Sequence, residues 1–131
     1  MRIKERSGRA AAAARIGRQR PRARHRPLEP EQLAAVAGRF GALGEPSRLR
    51  LLEVLREGEH SVGALMVATG FTQPNVSKHL RVLHQLGFVR RRKAGVSTYY
   101  RLADRDVLRL CDIMCRRLAA AAAAERALFG E

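Results

Sequence analysis

The sequence predicts an α+β, mostly helical fold: short amphipathic helices, then a two-stranded β-hairpin, then one long closing helix. Three observations predict it. Apolar residues recur at helical spacing between Pro30 and Leu86, in segments parted by glycine and proline. After Gly87 the pattern changes to β-branched and aromatic residues around a glycine turn. From Asp104 to about Leu128 an alanine-rich stretch carries neither glycine nor proline.

Each element has its own signals. Leu33, Val36, Ala37, Phe40 and Leu43 form the stripe of a first helix that Pro30 can open. Gly44, Glu45 and Pro46 interrupt it, and Leu49, Leu52 and Leu55 mark a second helix ending near Gly58. Ser61 can cap a third that turns Leu65 and Ala68 inward and stops at Gly70. Thr72 can cap a fourth, with Pro74 in its first turn and Gly87 beyond its end. Two helices thus meet across a very short glycine-containing turn. Phe88 to Leu102 reads as the hairpin, turning at Ala94-Gly95, with Tyr99 and Tyr100 divided between sheet face and core. The last helix begins at two acids, Asp104 serving as its cap.

With 131 residues, one domain plus a tail is expected. Residues 1–27, with ten basic groups against one acid, two prolines and repelling charge, read as a disordered basic arm; residues 28–131 form the folded unit. The net charge of +14 favours a polyanionic partner, nucleic acid or an anionic surface. No apolar run approaches the roughly 20 residues a bilayer requires, so no membrane role is expected. Two cysteines cannot build a disulfide framework and nothing resembles a secretory signal, which makes a reducing cytoplasm the expected setting.

The fourth helix carries the chemistry. With about 100° per residue, Leu80 and Leu83 fall within about 40° of Val76, and the three form its buried stripe. Pro74, Ser77, Lys78 and Arg81 gather on another side, joined at the helix start by Thr72, Gln73 and Asn75. A hydroxyl, an ammonium, a guanidinium and two amides at a positive helix end suit base edges and phosphates in a major groove. A polar helix face is more often merely solvated. The preceding short helix, the tight turn and the unbroken basic run Arg90, Arg91, Arg92 and Lys93 in the hairpin reverse that expectation, and together they describe a winged helix-turn-helix that binds double-stranded DNA.

Four separated motifs carry a resemblance: Leu43-Gly44-Glu45-Pro46-Ser47-Arg48-Leu49-Arg50-Leu51-Leu52, Ser61-Val62-Gly63-Ala64-Leu65, Thr72 through Leu83, and Gly95 to Tyr100. In this order, across about residues 30–118, the chain resembles the ArsR/SmtB-type transcriptional repressors. The resemblance implies a homodimer of winged helices that pairs through its C-terminal helix, occupies operator DNA and releases it when an inducer binds. It also implies where inducer ligands would lie. The third helix here offers Ser61 to Met66 where the metalloid branch carries cysteines, and His25, His60, His79 and His84 all precede the hairpin, whereas the zinc branch places histidines on the last helix.

Cys111 and Cys115 remain, one helical turn apart on the last helix, so their sulfurs share a face. They could take a soft metal or metalloid ion or act as a redox pair, with Arg116 and Arg117 lowering a thiol pKa; alternatively, beside Leu108 and Leu118, they are small apolar residues of a dimer interface. His79 borders the buried stripe and is expected to pack, and His84 to face solvent. An RNA-binding or ribosome-associated protein is the alternative reading, drawn from the arginine-rich arm. No glycine-rich phosphate loop, cysteine–histidine motif or carboxylate cluster points to an enzyme.

Overall fold

The computed structural model describes residues 25–130. Its elements run α1 (Pro30–Leu43), α2 (Pro46–Leu55), β1 (His60–Ser61), α3 (Val62–Thr69), α4 (Gln73–Gln85), β2 (Val89–Ala94), β3 (Ser97–Leu102) and α5 (Asp106–Phe129). The basic arm expected at residues 1–27 lies outside the described residues but for its last three.

Side chains start three of the helices. Glu45 accepts from the Arg48 amide at 2.9 Å, Ser61 from the Ala64 amide at 3.0 Å and Thr72 from the Asn75 amide at 3.4 Å, each satisfying an N–H that has no partner within its helix. Gly70 closes α3 at φ 74°, a conformation that strains any residue with a Cβ. Its N–H bonds back to the Met66 carbonyl at 2.8 Å. The chain can therefore turn within three residues and start α4.

The core lies where α2, α3 and α4 converge on the sheet and the first turn of α5. Leu51, Leu52, Leu55, Leu65, Val76, Leu80, Leu83, Val89, Tyr100, Val107 and Leu108 form one buried cluster. The stripe expected on α4 is fully buried. Tyr100 is inside and Tyr99 half-buried, as their alternation requires.

Four details depart from expectation. The sheet has three strands in the order β1-β3-β2, not two, because the extended residues before α3 pair with β3, His60 opposite Tyr100 and Ser61 opposite Tyr99. Ala68 is exposed, and on α2 the buried stripe is Leu51, Leu52 and Leu55 with Leu49 at its rim. His84 is half-buried rather than solvent-facing. Asp104 sits one residue ahead of the N-cap position held by Arg105, accepting instead from the Asp106 amide at 2.8 Å. Among the described residues no helix is long and apolar enough to cross a membrane.

Candidate nucleic-acid interface

With one side of α4 sealed into the core, its other side is fixed in direction. Thr72, Gln73, Pro74, Asn75, Lys78 and Arg81 are exposed and Ser77 is half-buried, so the residues expected to read DNA share one accessible surface. Gln73 Nε2 donates to Ser77 Oγ at 2.9 Å, holding a side chain of the first turn against the next. Neither Lys78 nor Arg81 is ion-paired with a described carboxylate. Both cations are available to an outside anion.

His79 seats this helix. It is the buried polar side chain of the described core, 7% exposed, and its Nδ1 lies 3.4 Å from Arg48 Nη1 and 3.8 Å from Glu45 Oε2. A guanidinium can only donate, so in the contact with Arg48 the Nδ1 atom takes the acceptor role. Arg48 also donates through Nε to the Ala42 carbonyl at 2.6 Å. The end of α1, the start of α2 and the middle of α4 are thereby joined through one side chain. The Arg48 amide, bonded to the Glu45 carboxylate, holds that carboxyl below the usual range.

The wing sorts its basic run by register. Val89 pairs with Leu102, Arg91 with Tyr100 and Lys93 with Thr98, which puts Arg91 and Lys93, both exposed, on the same side of the sheet as the core residues Val89 and Tyr100. Arg90 and Arg92 point to the opposite side, with Tyr99 and Arg101. Arg92 is already engaged there by Glu59, through two hydrogen bonds to one carboxylate. Sequence reasoning missed Glu59 because its proximity depends on the β1–β3 pairing, which a two-residue strand barely announces.

Cys111 and Cys115 line one groove of about 230 Å³ between α2 and α5, together with Leu49, Leu52, Glu53, Arg56, Leu108 and Asp112. Cys111 is half-buried and Cys115 exposed. Burial pushes the Cys111 thiol up, and the nearby Cys115 and Asp112 add to that; the arginine opposing the shift is Arg56 at the C-cap of α2, not Arg116 or Arg117. Arg56 Nη2 bonds Asp112 Oδ1 at 2.9 Å across the groove's edge.

Comparison with known proteins agrees with this geometry. Residues 45–91, from the cap of α2 into β2, match the family described as bacterial regulatory protein, arsR family. The HTH-type transcriptional regulator NmtR of Mycobacterium tuberculosis is 45% identical over 96 residues, covering 73% of this chain and 78% of its own. The chain belongs to the arsR family. A Streptomyces lividans family relative named "Probable mercury resistance operon repressor" is 38% identical over 81 residues, 62% of this chain and 64% of that one. The solution structure of the homodimeric winged helix-turn-helix DNA-binding domain Mb0332 from Mycobacterium bovis superposes with a TM-score of 0.60 at 32% identity, covering 74% of this chain and 91% of that one.

As an arsR-family protein the chain is a DNA-binding transcriptional regulator and not an enzyme. The RNA-binding alternative finds no support among these relatives. Among the described residues no three His, Cys, Asp or Glu side chains are grouped as metal ligands. Two thiols fall short of the about four ligands of a closed zinc site.

Proposed function

We propose that this regulator is a homodimeric repressor that grips duplex operator DNA with α4 and the wing, and releases it when a thiol-reactive signal engages Cys111 and Cys115. The observation that carries the first half is the fixed α4 surface, with Lys78 and Arg81 exposed across the helix from a fully buried stripe. Thr72, Gln73, Pro74, Asn75, Ser77, Lys78 and Arg81 are its major-groove set, and the wing supplies phosphate contacts.

The apolar faces of α1 and α5 support the dimer. Leu33, Phe40, Met114 and Leu118 are 54%, 59%, 61% and 65% exposed, more apolar surface than a monomer leaves in water without reason. A second copy would cover it and present two reading helices to successive major grooves, about 34–36 Å apart. The superposed Mycobacterium bovis domain is itself described as homodimeric.

The shared groove supports the sensor. Two sulfurs on one face, one of them exposed, can both bind a thiophilic ion, each giving up its proton, and the mercury-named relative makes such a ligand reasonable. The groove lies between α2, in the body of the reading domain, and α5, on the dimer side, so a ligand there would shift one against the other. The test is a Cys111→Ser, Cys115→Ser double variant titrated with Hg(II), Cd(II) or arsenite while bound to operator. It should dimerise and bind DNA like the parent yet no longer release it; release at the parent's inducer concentration would return both cysteines to a packing role.

A further inference from the structure

Arg92 stands inside the basic run of the wing, where composition makes it a phosphate contact. Its surroundings give it other partners. Nε donates to Glu59 Oε2 at 3.2 Å, Nη2 donates to Oε1 of the same carboxylate, and the guanidinium carbon lies 4.6 Å from the centre of the Tyr99 ring. Two parallel bonds plus an aromatic platform fix a guanidinium far better than a single exposed contact does.

The three side chains cross one face of the sheet. Glu59 immediately precedes β1, Tyr99 belongs to the central strand β3 and pairs with both Ser61 and Arg92, and Arg92 belongs to β2. Ser61 is also the cap of α3. The contact therefore ties the first strand of the wing to the residues that start the helix-turn-helix. Arg92 holds the Glu59 carboxyl below its usual range by hydrogen bonding, and Glu59 in return raises Arg92.

We propose that Glu59 and Arg92 form a strut across the sheet that sets the angle of the wing against α3 and α4, making Arg92 a positioning residue and leaving the wing's phosphate contacts to Arg91 and Lys93 on the opposite face. The proposal rests on the DNA-binding reading above and makes a prediction whose sign is unusual. Glu59→Gln removes a negative charge from a protein that binds a polyanion, so bulk electrostatics demands tighter binding. The strut demands weaker binding.

The experiment measures the affinity of the full chain for its operator duplex and for a scrambled duplex, by fluorescence anisotropy over a series of salt concentrations. The variants are Glu59→Gln, Arg92→Glu, the exchange Glu59→Arg with Arg92→Glu, and the pair Arg91→Gln with Lys93→Gln. Glu59→Gln should weaken operator binding about two- to fivefold, the scale of an exposed ion pair. The exchange should recover most of what Arg92→Glu alone loses, at unchanged unfolding midpoint. The Arg91, Lys93 pair should lower the salt slope by about two, one for each phosphate released. Operator binding by Glu59→Gln as tight as the parent's or tighter, or an exchange no better than Arg92→Glu alone, would overturn the strut. Failure of the parent chain to prefer operator over scrambled duplex would instead overturn the DNA-reading assignment, and the strut's role with it.

Discussion

At the scale of single residues, α4 divides between side chains that hold the fold and exposed side chains that we propose contact DNA. Leu80 is fully buried amid Val76, Leu83 and Leu65, so Leu80→Ala should cost about 2–5 kcal/mol of unfolding free energy, measured by denaturant titration. Lys78→Ala, on the exposed face, should leave that titration unchanged and weaken DNA binding. His79 belongs to neither group. His79→Leu keeps volume but leaves Arg48 facing a side chain that cannot accept, whereas His79→Asn restores an acceptor near Nδ1. Operator affinity should therefore rank parent, then Asn, then Leu; equal affinity of the two variants would mean that packing alone seats the helix. The buried stripe and the exposed polar face of α4 were legible because helical periodicity separates them directly. The Arg48–His79 and Glu59–Arg92 contacts were not, because they join residues 31 and 33 positions apart and depend on how elements dock.

Elements were legible to the extent that local signals decide them. Pro30, Ser61, Gly70, Thr72 and Gly87 act within a turn of their own position, and the helix limits they imply match α1, α3 and α4 to within a residue. The short β1 has no local signal because its partner strand is about forty residues away, and the cap expected at Asp104 falls one residue early because its carboxylate bonds the Asp106 amide while Arg105 takes the N-cap position. α5 was readable as a helix, but not the groove it forms with α2. That groove carries a pH prediction. A thiophilic ion must displace thiol protons, and burial raises the Cys111 thiol, so protons compete throughout the neutral range. Inducer-triggered release should need more Hg(II) or Cd(II) at about pH 6 than at about pH 8, with DNA binding by the Cys111→Ser, Cys115→Ser variant serving as the control. Release independent of pH would argue against thiolate ligation.

For the whole molecule, charge and the proposed dimer matter more than any one contact. Residues 1–27 carry ten of the 26 basic groups, so deleting them should weaken binding to all duplexes alike and flatten the salt dependence while the preference for operator survives. Unchanged affinity and salt slope would make that segment a passenger. The apolar faces of α1 and α5 should likewise make operator binding steepen with protein concentration, as dimer formation precedes it. The central claim, that the exposed side of α4 reads DNA, has the most direct test. An operator is selected from a random duplex library with the parent chain, and its affinity is compared with that of a scrambled duplex for the parent and for the Ser77→Ala, Lys78→Ala, Arg81→Ala triple variant. The preference for operator should collapse in the triple variant, each lost base contact costing about 1–3 kcal/mol, while the unfolding midpoint holds. A triple variant that keeps the parent's preference would contradict the account.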